Sequence, residues 1–508
     1  MSRAALVAGF VIAIIVVGVA SFYAGMHVAK PATVTKTVTV TKATTVTKTV
    51  TASSGGGGTS YKTVTTTVTK TAPAKTVTTT VTAAAGKSGI ATWKPPKIIK
   101  AAWIYVGPVG DFGWSYMHDL GRRVVQALYK DWLKTTYVES VPESKLKSTI
   151  ESLISKGYDV IFTTSFGYME GTLDEAKLHP NVIFFHCSGY LRWHNMGTYF
   201  ADLYQIYYLD GLIAGALTKT GHIGYIAAFL TPELVRHINA FAIGAKEVGE
   251  QLGKKIEVYV IETGGWYHPA VTRQAAATLV NDYHCDVLAY TQDSIAVIEY
   301  AEQLYKQQHK QIWVFSHYSP GWIYGPDVVA SGQIVRWEVI YADILAKIKA
   351  GVYTPYNLQD VDYWDLLNSG AVEFGCWVFQ NGTVMHINPK VIPILKKIIV
   401  TDKQTGKKMS VYDLVMLRYR EMKDAPMLNA LDSLSITHKY MNITKIYIGG
   451  KEKWYYIAPR FDPFTGPLTG YNIKTGKKVV IPAGERLGHD ALWTMQWFVD
   501  WVHIVGKK

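Results

Sequence analysis

Acidic residues are missing from the beginning of this chain. The first 100 of the 508 residues contain Arg3 and eleven Lys but no Asp or Glu. This segment therefore carries +12 of the formal net charge of +13, and the remaining chain is close to neutral. A nucleic-acid-binding domain would need its Lys and Arg clustered on the folded surface to neutralise phosphates. The sequence thus argues against nucleic acid as a partner.

Cysteine is also scarce. Cys187, Cys285 and Cys376 stand far apart, and two of them lie in apolar, strand-like runs. This spacing is typical neither of a disulfide framework nor of a paired-cysteine metal site. We expect all three to be small buried hydrophobic residues.

Catalytic and metal-binding motifs are absent as well. The sequence has no HExxH motif, no P-loop and no GxSxG elbow. Asp111-Phe112-Gly113 spells the magnesium motif of kinases, but the accompanying Lys strand and catalytic loop are missing. The histidines show no metal-ligand spacing. We therefore predict that the protein is not an enzyme and uses no cofactor or metal.

Residues 4–26 form an uncharged run that follows Arg3 and precedes Lys30. A helix of this length can span a bilayer, and the positive N-terminus favours export of the remaining chain. We predict that residues 1–29 are a membrane anchor, with the globular part outside the cell. A cleaved signal, with Ala20 and Ala24 framing the site, and trimming near Ala4 are the alternatives.

Residues 30–96 are a low-complexity segment rich in Thr, Val and Lys. The motif TVTK begins at Thr33, Thr39, Thr45 and Thr67. Such a segment cannot bury enough apolar surface to form a core, and its composition is typical of O-glycosylated stalks. Because alternating Thr and Val also favour strands, an ordered assembly element is the alternative. Asn381 and Asn442 are candidate N-glycosylation sites.

From residue 98 onward, strand and helix patterns alternate, which predicts an α/β fold with parallel sheets. The expected strands lie near residue 137 and at 159–165, 182–188, 222–229, 256–262, 286–291 and 311–316; the expected helices at 143–156, 203–217, 232–252, 269–281 and 294–305. A break at 218–221 and a later return near 335–340 predict two doubly wound lobes joined by a hinge. The expected domains are an N-terminal lobe (97–220), a C-terminal lobe (221–335), a crossover return (336–399), and an accessory insertion with a closing segment (400–508) that ends in a helix at 489–503.

Aromatic and acidic residues gather in the loops that follow the predicted strands. In open α/β sheets, ligands bind outside the carboxyl ends of the strands. Aromatic faces stack on flat heterocycles, and carboxylates accept hydrogen bonds from ring or ribose groups. Each such residue alone is more often a packing residue, but together they predict a small-molecule site. The candidates are Asp111, Phe112, Trp114, Phe166, Gly167, Tyr168, Trp266, Asp293, Tyr318 and Trp337.

Several ordered segments resemble the basic membrane protein (BMP), or PnrA-like, family of ABC transporter substrate-binding proteins. They are residues 107–123 (GPVGDFGWSYMHDLGRR), 137–143 (YVESVPE), 163–169 (TTSFGYM), 197–215 (GTYFADLYQIYYLDGLIAG), 237–245 (HINAFAIGA), 265–270 (GWYHPA) and 466–487 (GPLTGYNIKTGKKVVIPAGERL). The resemblance covers about residues 98–506.

This resemblance implies a two-lobed, type I periplasmic-binding-protein fold that captures purine nucleosides or related purines. It places Asp111 and Trp114 in a first ligand loop, Phe166 and Tyr168 in a second, and Trp266 and Asp293 on the second lobe. Two departures stand out. His268 occupies a position where relatives tend to have Asp, and residues 400–453 match the family poorly, as an insertion would.

We therefore expect an extracellular receptor that delivers a purine nucleoside or base to an ABC permease and its ATPase. A sensor built on the same fold and a filament-forming surface protein are the alternatives, and an enzyme acting on nucleosides is a weaker one. The sequence leaves self-association open.

Overall fold

The computed structural model describes residues 93–424 and 461–506, together with the backbone of six short strands outside these ranges. The chain divides into two units, Met1–Thr92 and Trp93–Lys508. The candidate anchor at residues 4–26 and the sequon at Asn442 lie outside the described residues. Within the part of the chain that the structure describes, no helix is both long and apolar enough to cross a bilayer.

The first unit contains two antiparallel strand pairs. Strand β1 (Thr33–Thr39) pairs with β4 (Thr76–Thr82), and β2 (Lys48–Val50) pairs with β3 (Val64–Thr66). These strands fall in the Thr/Val repeats, where alternating β-branched residues favour extended backbone. The role of this segment as a stalk stays a prediction.

The first lobe is built on a six-stranded parallel sheet. In spatial order its strands are β15 (Asp362–Asp365), β9 (Met196–Ala201), β8 (Ile183–Cys187), β7 (Val160–Thr163), β5 (Ile99–Ile104) and β6 (Leu133–Val138). Five of the six residues of β5 are buried, as expected for a strand covered by helices on both faces. The sequence analysis missed β9 as a separate strand.

The second lobe is built on a seven-stranded sheet, which is parallel except for the pairing of its first two strands. In spatial order its strands are β16 (Val372–Phe374), β14 (Val329–Val335), β13 (Trp313–Ser316), β12 (Val287–Thr291), β10 (His222–Ala227), β11 (Glu257–Glu262) and β26 (Val502–Ile504). The two sheets confirm the predicted α/β fold with parallel strands.

Eleven helices are present among the described residues. They are α1 (Trp114–Leu128), α2 (Leu146–Ser155), α3 (Met169–Leu178), α4 (Tyr204–Leu217), α5 (Pro232–Gly249), α6 (Pro269–Asn281), α7 (Ala296–Gln308), α8 (Trp337–Lys349), α9 (Ile392–Lys397), α10 (Val411–Lys423) and α11 (His489–Trp493). The remaining strands are β17 (Trp377–Val378), β18 (Val384–Met385), β19 (Ile399–Thr401), β20 (Lys408–Ser410), β21 (Thr444–Ile448), β22 (Lys451–Tyr455), β23 (Leu468–Asn472), β24 (Lys478–Ile481) and β25 (Trp497–Val499).

The chain crosses between the two sheets three times: between β9 and β10, between β14 and β15, and between β15 and β16. The expected N-terminal lobe of residues 97–220 includes α4, but this helix packs along α5 and against β14 of the second lobe. Glycines permit the close approach, because a Cβ on Gly211 would lie 2.2 Å from the Phe241 carbonyl oxygen. Every residue of α4 is buried.

The end of the chain differs from the expected helix at 489–503. Helix α11 stops at Trp493, and the chain continues as β25 and β26. Strand β26 extends the second sheet by pairing with β11 in parallel. The buried residues Phe498, Val499 and Val502 are aromatic or β-branched, which favours strands over a helix.

The described part of the predicted insertion is built into the second lobe. Helix α10 packs on α4, and its Arg418 side chain is fully buried. The Arg418 guanidinium donates to Asp402 and, at 2.8 Å, to Glu421 Oε2, and it lies 4.4 Å from the centre of the Phe461 ring. A buried charge needs such partners, so this segment is part of the folded core.

Candidate functional site

The loop after β5 is organised by Asp111. Its buried carboxylate accepts hydrogen bonds from the backbone N–H groups of Gly113 (2.8 Å), Ser115 (2.9 Å) and Tyr116 (2.9 Å). Gly113, at the start of α1, has no side chain to cap the helix, so Asp111 satisfies these free N–H groups instead. Burial raises the pKa of Asp111 to about 6, although the three hydrogen bonds oppose this.

Trp114 follows in the first turn of α1 and is held from several sides. Its indole N–H donates to the carbonyl oxygen of Thr164. Its ring lies 5.0 Å from the Tyr318 ring and 5.3 Å from the Trp337 ring, measured between centres. Trp337 stacks on His118 at 4.2 Å. Trp337 thus supports Trp114 from behind.

A cavity with about 280 Å³ of empty space, part of it open to solvent, lies between the two lobes. Its walls are formed by Val106, Trp114, Ser165, Phe166, Ser188, Glu233, Trp266, Asp293 and Tyr318. Five of the ten residues predicted from the sequence are among them. The loops after β5, β7 and β8 of one sheet and β10, β11, β12 and β13 of the other therefore meet here.

Four other predicted residues lie near this cavity without lining it. Phe112 has a left-handed backbone (φ 56°), and its ring is 37% exposed and packs 5.1 Å from Tyr324. Tyr168 is fully buried, and its hydroxyl donates to the carbonyl oxygen of Val141. Asp111 and Trp337 have the supporting roles described above. Sequence position placed these residues in the right loops but could not give the direction of their side chains.

Gly167, the remaining predicted residue, also lies outside the cavity wall. A Cβ at this position would lie 1.7 Å from Glu143 Oε1. The glycine therefore leaves room for the Glu143 side chain beside the turn Phe166–Tyr168. Its contact with a ligand stays a prediction.

The sequence analysis missed Glu233, which stands in the first turn of α5. This helix begins at Pro232 after Thr231, whose side chain accepts from the Leu234 N–H. The Tyr318 hydroxyl donates to Glu233 Oε1 at 2.9 Å. Burial raises the pKa of Glu233 to about 7. The Thr-Pro-Glu helix start directly after a predicted strand is a signal that could have identified it.

Ser165 and Ser188 were missed for a different reason. Both follow buried strands of the first lobe, and Ser188 has a left-handed backbone (φ 67°) that turns its side chain toward the cavity wall. Serine in a loop carries little information in a single sequence. Val106, which follows β5, was also missed.

The cavity is acidic and contains unpartnered acceptors. None of its nine lining residues is Lys, Arg or His. Asp293 Oδ2 and Ser165 Oγ are buried and have no hydrogen-bond partner among the described residues. Burial raises the pKa of Asp293 well above its ordinary value, and the charge of Asp111 raises it further. Since buried polar atoms are nearly always hydrogen-bonded, these two atoms are available to hydrogen-bond a ligand in the cavity.

The two lobes touch at the rim of the cavity. A Cβ on Gly113 in the first lobe would lie 2.9 Å from Asp293 Cα in the second, so only glycine fits here. The Ser319 hydroxyl donates to the carbonyl oxygen of Phe112 across the same boundary. The cleft is therefore closed.

Asp202 holds the two lobes together at the first crossing. Its carboxylate forms an ion pair with Arg236 on α5 (2.7 Å to Nε), and it hydrogen-bonds His237 Nε2 (3.1 Å) on α5 and accepts from Trp364 Nε1 (2.7 Å) on β15. Burial alone would raise the pKa of Asp202, but Arg236 and His237 hold it at about 2. The charged form of Asp202 thus anchors both lobes at the crossover.

A possible metal cluster lies apart from the cavity, within the described residues. Glu151, Glu175 and His179 bring ligand-type atoms together on α2 and at the end of α3. His179 Nε2 contacts Glu151 Oε1 at 2.9 Å and Glu175 Oε2 at 3.5 Å. These mutual contacts account for the grouping.

The chain is similar to two curated proteins. A protein of Haloferax volcanii named as an ABC transporter glucose-binding protein is 33% identical over 279 residues, which cover 55% of this chain and 67% of that one. A purine-binding protein of Brucella abortus is 34% identical over 261 residues, which cover 51% of this chain and 71% of that one.

Among solved structures, an ABC transporter solute-binding protein from Aeropyrum pernix K1 matches with a TM-score of 0.52 at 16% identity, covering 64% of this chain and 91% of that one. This match supports the fold alone. The family model of PnrA-like ABC transporter substrate-binding proteins matches residues 98–405. Since that match covers more than half of the sequence, the chain belongs to the PnrA-like family of ABC transporter substrate-binding proteins.

Proposed function

We propose that this protein is an extracellular receptor that captures a purine base or nucleoside between its lobes and delivers it to an ABC permease. The observation that carries the proposal is the closed cavity, whose walls combine aromatic rings with unpartnered acceptors and no cationic side chain. Trp114, Phe166, Trp266 and Tyr318 offer faces or edges to a flat ring. Asp293 and Ser165 offer acceptors to its N–H or hydroxyl groups.

Closure of the lobes links capture to delivery. The closed cleft joins Gly113 to Asp293 and Ser319 to Phe112, so a ligand in the cavity is enclosed by residues of both lobes. A ligand that contacts both lobes stabilises the closed form by its differential affinity for that form. A permease that recognises both lobes at once would then receive loaded receptors in preference to empty ones. Residues 1–29 would tether the receptor to the membrane, and residues 30–96 would extend it outward.

A sugar is the second candidate ligand, supported by the Haloferax volcanii relative named for glucose. Sugars also stack on aromatic faces and donate to carboxylates. The two candidates differ in how much of the binding energy comes from stacking. A flat purine should depend strongly on the half-buried Phe166 ring, since base stacking contributes about 1–3 kcal/mol per base.

Calorimetric titration of the purified full-length chain, refolded to remove carried-over ligand, tests the proposal. The panel is adenine, guanine, adenosine, guanosine, inosine and glucose. Saturable binding of one purine class, without glucose binding, is the expected result. Binding of glucose alone would support the second candidate. If the folded protein binds none of these compounds, both candidates are overturned.

Phe166→Ala distinguishes stacking from general packing effects. We expect it to weaken binding of the purine by about 5-fold to 150-fold, the equivalent of about 1–3 kcal/mol. Phe379→Ala is the matched control, because the Phe379 ring is 47% exposed and lies outside the cavity wall. Equal affinity of the two variants would exclude stacking on Phe166.

A further inference from the structure

The rim of the closed cleft brings two carboxyl groups together from opposite lobes. Asp111 belongs to the loop after β5, and Asp293 belongs to the loop after β12. Asp111 Oδ1 accepts from the Gly113 N–H at 2.8 Å, and Gly113 in turn packs against Asp293 Cα. Both side chains are almost completely buried, with 2% of each residue exposed.

Among the described residues, no cationic side chain lowers the pKa of either acid. Glu233, the third acid of the site, faces Asp293 from α5 and raises the pKa of Asp293 further. The charge of Arg236 lowers the pKa of Glu233, but this guanidinium is paired with Asp202. The remaining neighbours are neutral or hydrogen-bond donors: the hydroxyl of Tyr318, and the imidazoles of His118 beside Trp114 and of His317 beside Tyr318. Burial lowers the pKa of both imidazoles well below the ordinary value.

Two like charges cannot be buried side by side without a counterion, because each loses its hydration and repels the other. Asp111 uses its carboxylate oxygens to accept three backbone N–H groups, which favours its charged form. Asp293 Oδ2 has no hydrogen-bond partner among the described residues. A proton on Asp293 would remove the repulsion without breaking the cap of α1, and the protonated carboxyl would still accept a hydrogen bond from a ligand through its carbonyl oxygen.

We propose that closure of this cleft around a ligand takes up a proton, which is held by Asp111 and Asp293, the two acids buried on either side of Gly113. This inference rests on the proposed function and adds to it a regulation of the same site. Capture would be favoured in a mildly acidic medium, and release would be favoured where the pH is higher.

The direction of the pH dependence follows from the closed form. Opening the cleft would separate the two acids and expose them to water, which favours the charged form of both carboxyls near neutral pH. In the closed cleft, burial raises the pKa of Asp111 to about 6 and that of Asp293 well above its ordinary value. The closed form therefore binds more protons. The stability that the closed form gains from these protons is fully present below the ordinary pKa of the acids, and it is lost as the pH rises through the raised pKa values.

Calorimetric titration of the full-length chain at several pH values tests the inference. The probes are adenine, adenosine and glucose, which do not titrate between about pH 5.5 and about pH 8. Each titration is repeated in two buffers with different enthalpies of ionisation. We expect affinity to fall with rising pH by up to tenfold per unit for each proton, about 1.4 kcal/mol, and the buffer dependence of the heat to show proton uptake.

The outcomes separate this inference from the proposed function. Binding whose affinity and heat are independent of pH and buffer would overturn the proton uptake while leaving the receptor function intact. If none of the three probes binds at any pH, both the receptor function and this inference are overturned. These measurements use the unaltered chain, so they do not depend on the folding of a variant.

Asp293→Asn then assigns the proton to this pair. The amide keeps the shape of the side chain but cannot titrate, so we expect the pH and buffer dependence to flatten. Glu299→Gln is the matched control, because Glu299 is an exposed acid on α7, the helix that follows the Asp293 loop. An unchanged pH slope in Asp293→Asn would refute the assignment, as would an equal flattening in Glu299→Gln.

Discussion

Asp202→Asn is the most informative test of how the two lobes are held together. The substitution keeps the size of the side chain but removes the negative charge that faces Arg236 and His237. Both Asp202 and Arg236 are buried, with 0% and 1% of their side chains exposed. The variant therefore leaves a buried guanidinium without its counterion, which is much more costly than losing an exposed ion pair.

Breaking a buried pair by removing one partner costs about 3–5 kcal/mol, and we expect a loss of this size in the free energy of unfolding. Equilibrium unfolding in denaturant, followed by tryptophan fluorescence, measures it. Asp174→Asn is the matched control, because it removes the same charge from an ion pair with Lys147 in which both side chains are about half exposed. Exposed pairs contribute little.

The pH dependence gives a second readout of the same interaction. Arg236 and His237 hold the pKa of Asp202 at about 2 against the effect of burial. A depressed carboxyl pKa contributes stability that is present above the unfolded pKa, near 3.9, and is lost as the pH falls towards the folded value. As the pH falls from about 4 to about 2, the free energy of unfolding of Asp202→Asn should therefore decrease less than that of the unaltered protein. Equal unfolding free energies for Asp202→Asn and Asp174→Asn at neutral pH would refute this reasoning.

Two further predictions concern packing. Gly211→Ala should destabilise the protein by about 1–3 kcal/mol, because the new Cβ at the crossing of α4 and α5 would lie 2.2 Å from the Phe241 carbonyl oxygen. Gly110→Ala is the control, because a Cβ at Gly110 would meet nothing within 4 Å. Equal thermal midpoints of the two variants would contradict the close crossing. Cys187, Cys285 and Cys376 are free and buried, and burial raises the pKa of each thiol. We therefore expect a thiol reagent to label them only after unfolding, and rapid labelling of the native chain would disprove their burial.

Much of the fold was predictable because local pattern and tertiary structure agree in the lobes. The parallel strands near residues 159–165 and 286–291 are buried on both faces, so they appear as short apolar runs with turn residues at their ends. Helix α5, predicted at 232–252, has local start signals in the sequence, because Thr231 caps it and Pro232 opens it. These signals are local, and a single sequence contains them.

The elements that were placed wrongly depend on contacts far along the chain. Helix α4 is apolar on all sides, which predicts burial but does not say in which lobe. Its glycines are what determine the partner, because they match the backbone of α5. The sequence analysis predicted a helix at the end of the chain, but this segment forms strand β26, which pairs with β11 at the edge of the second sheet.

The candidate site was predictable at the level of loops and not of side chains. Residues that line the cavity and residues that do not alternate within one loop: Trp114 lines the cavity, while the ring of Phe112, two positions earlier, packs on Tyr324. Phe166 and Tyr168 differ in the same way. The direction of each ring follows from the turn geometry and from the opposite lobe. Neither is encoded within the loop itself.

The attachment of α10 has a consequence for any protein that docks on this side of the molecule. Arg418 anchors this helix to the second lobe through Asp402 and Glu421, and its helix lies on α4. When the cleft opens, residues 399–424 should travel with the second lobe as one rigid body. A partner that binds α10 alone would respond to the position of the second lobe only. It would need a second contact on the first lobe to distinguish the closed form from an open one.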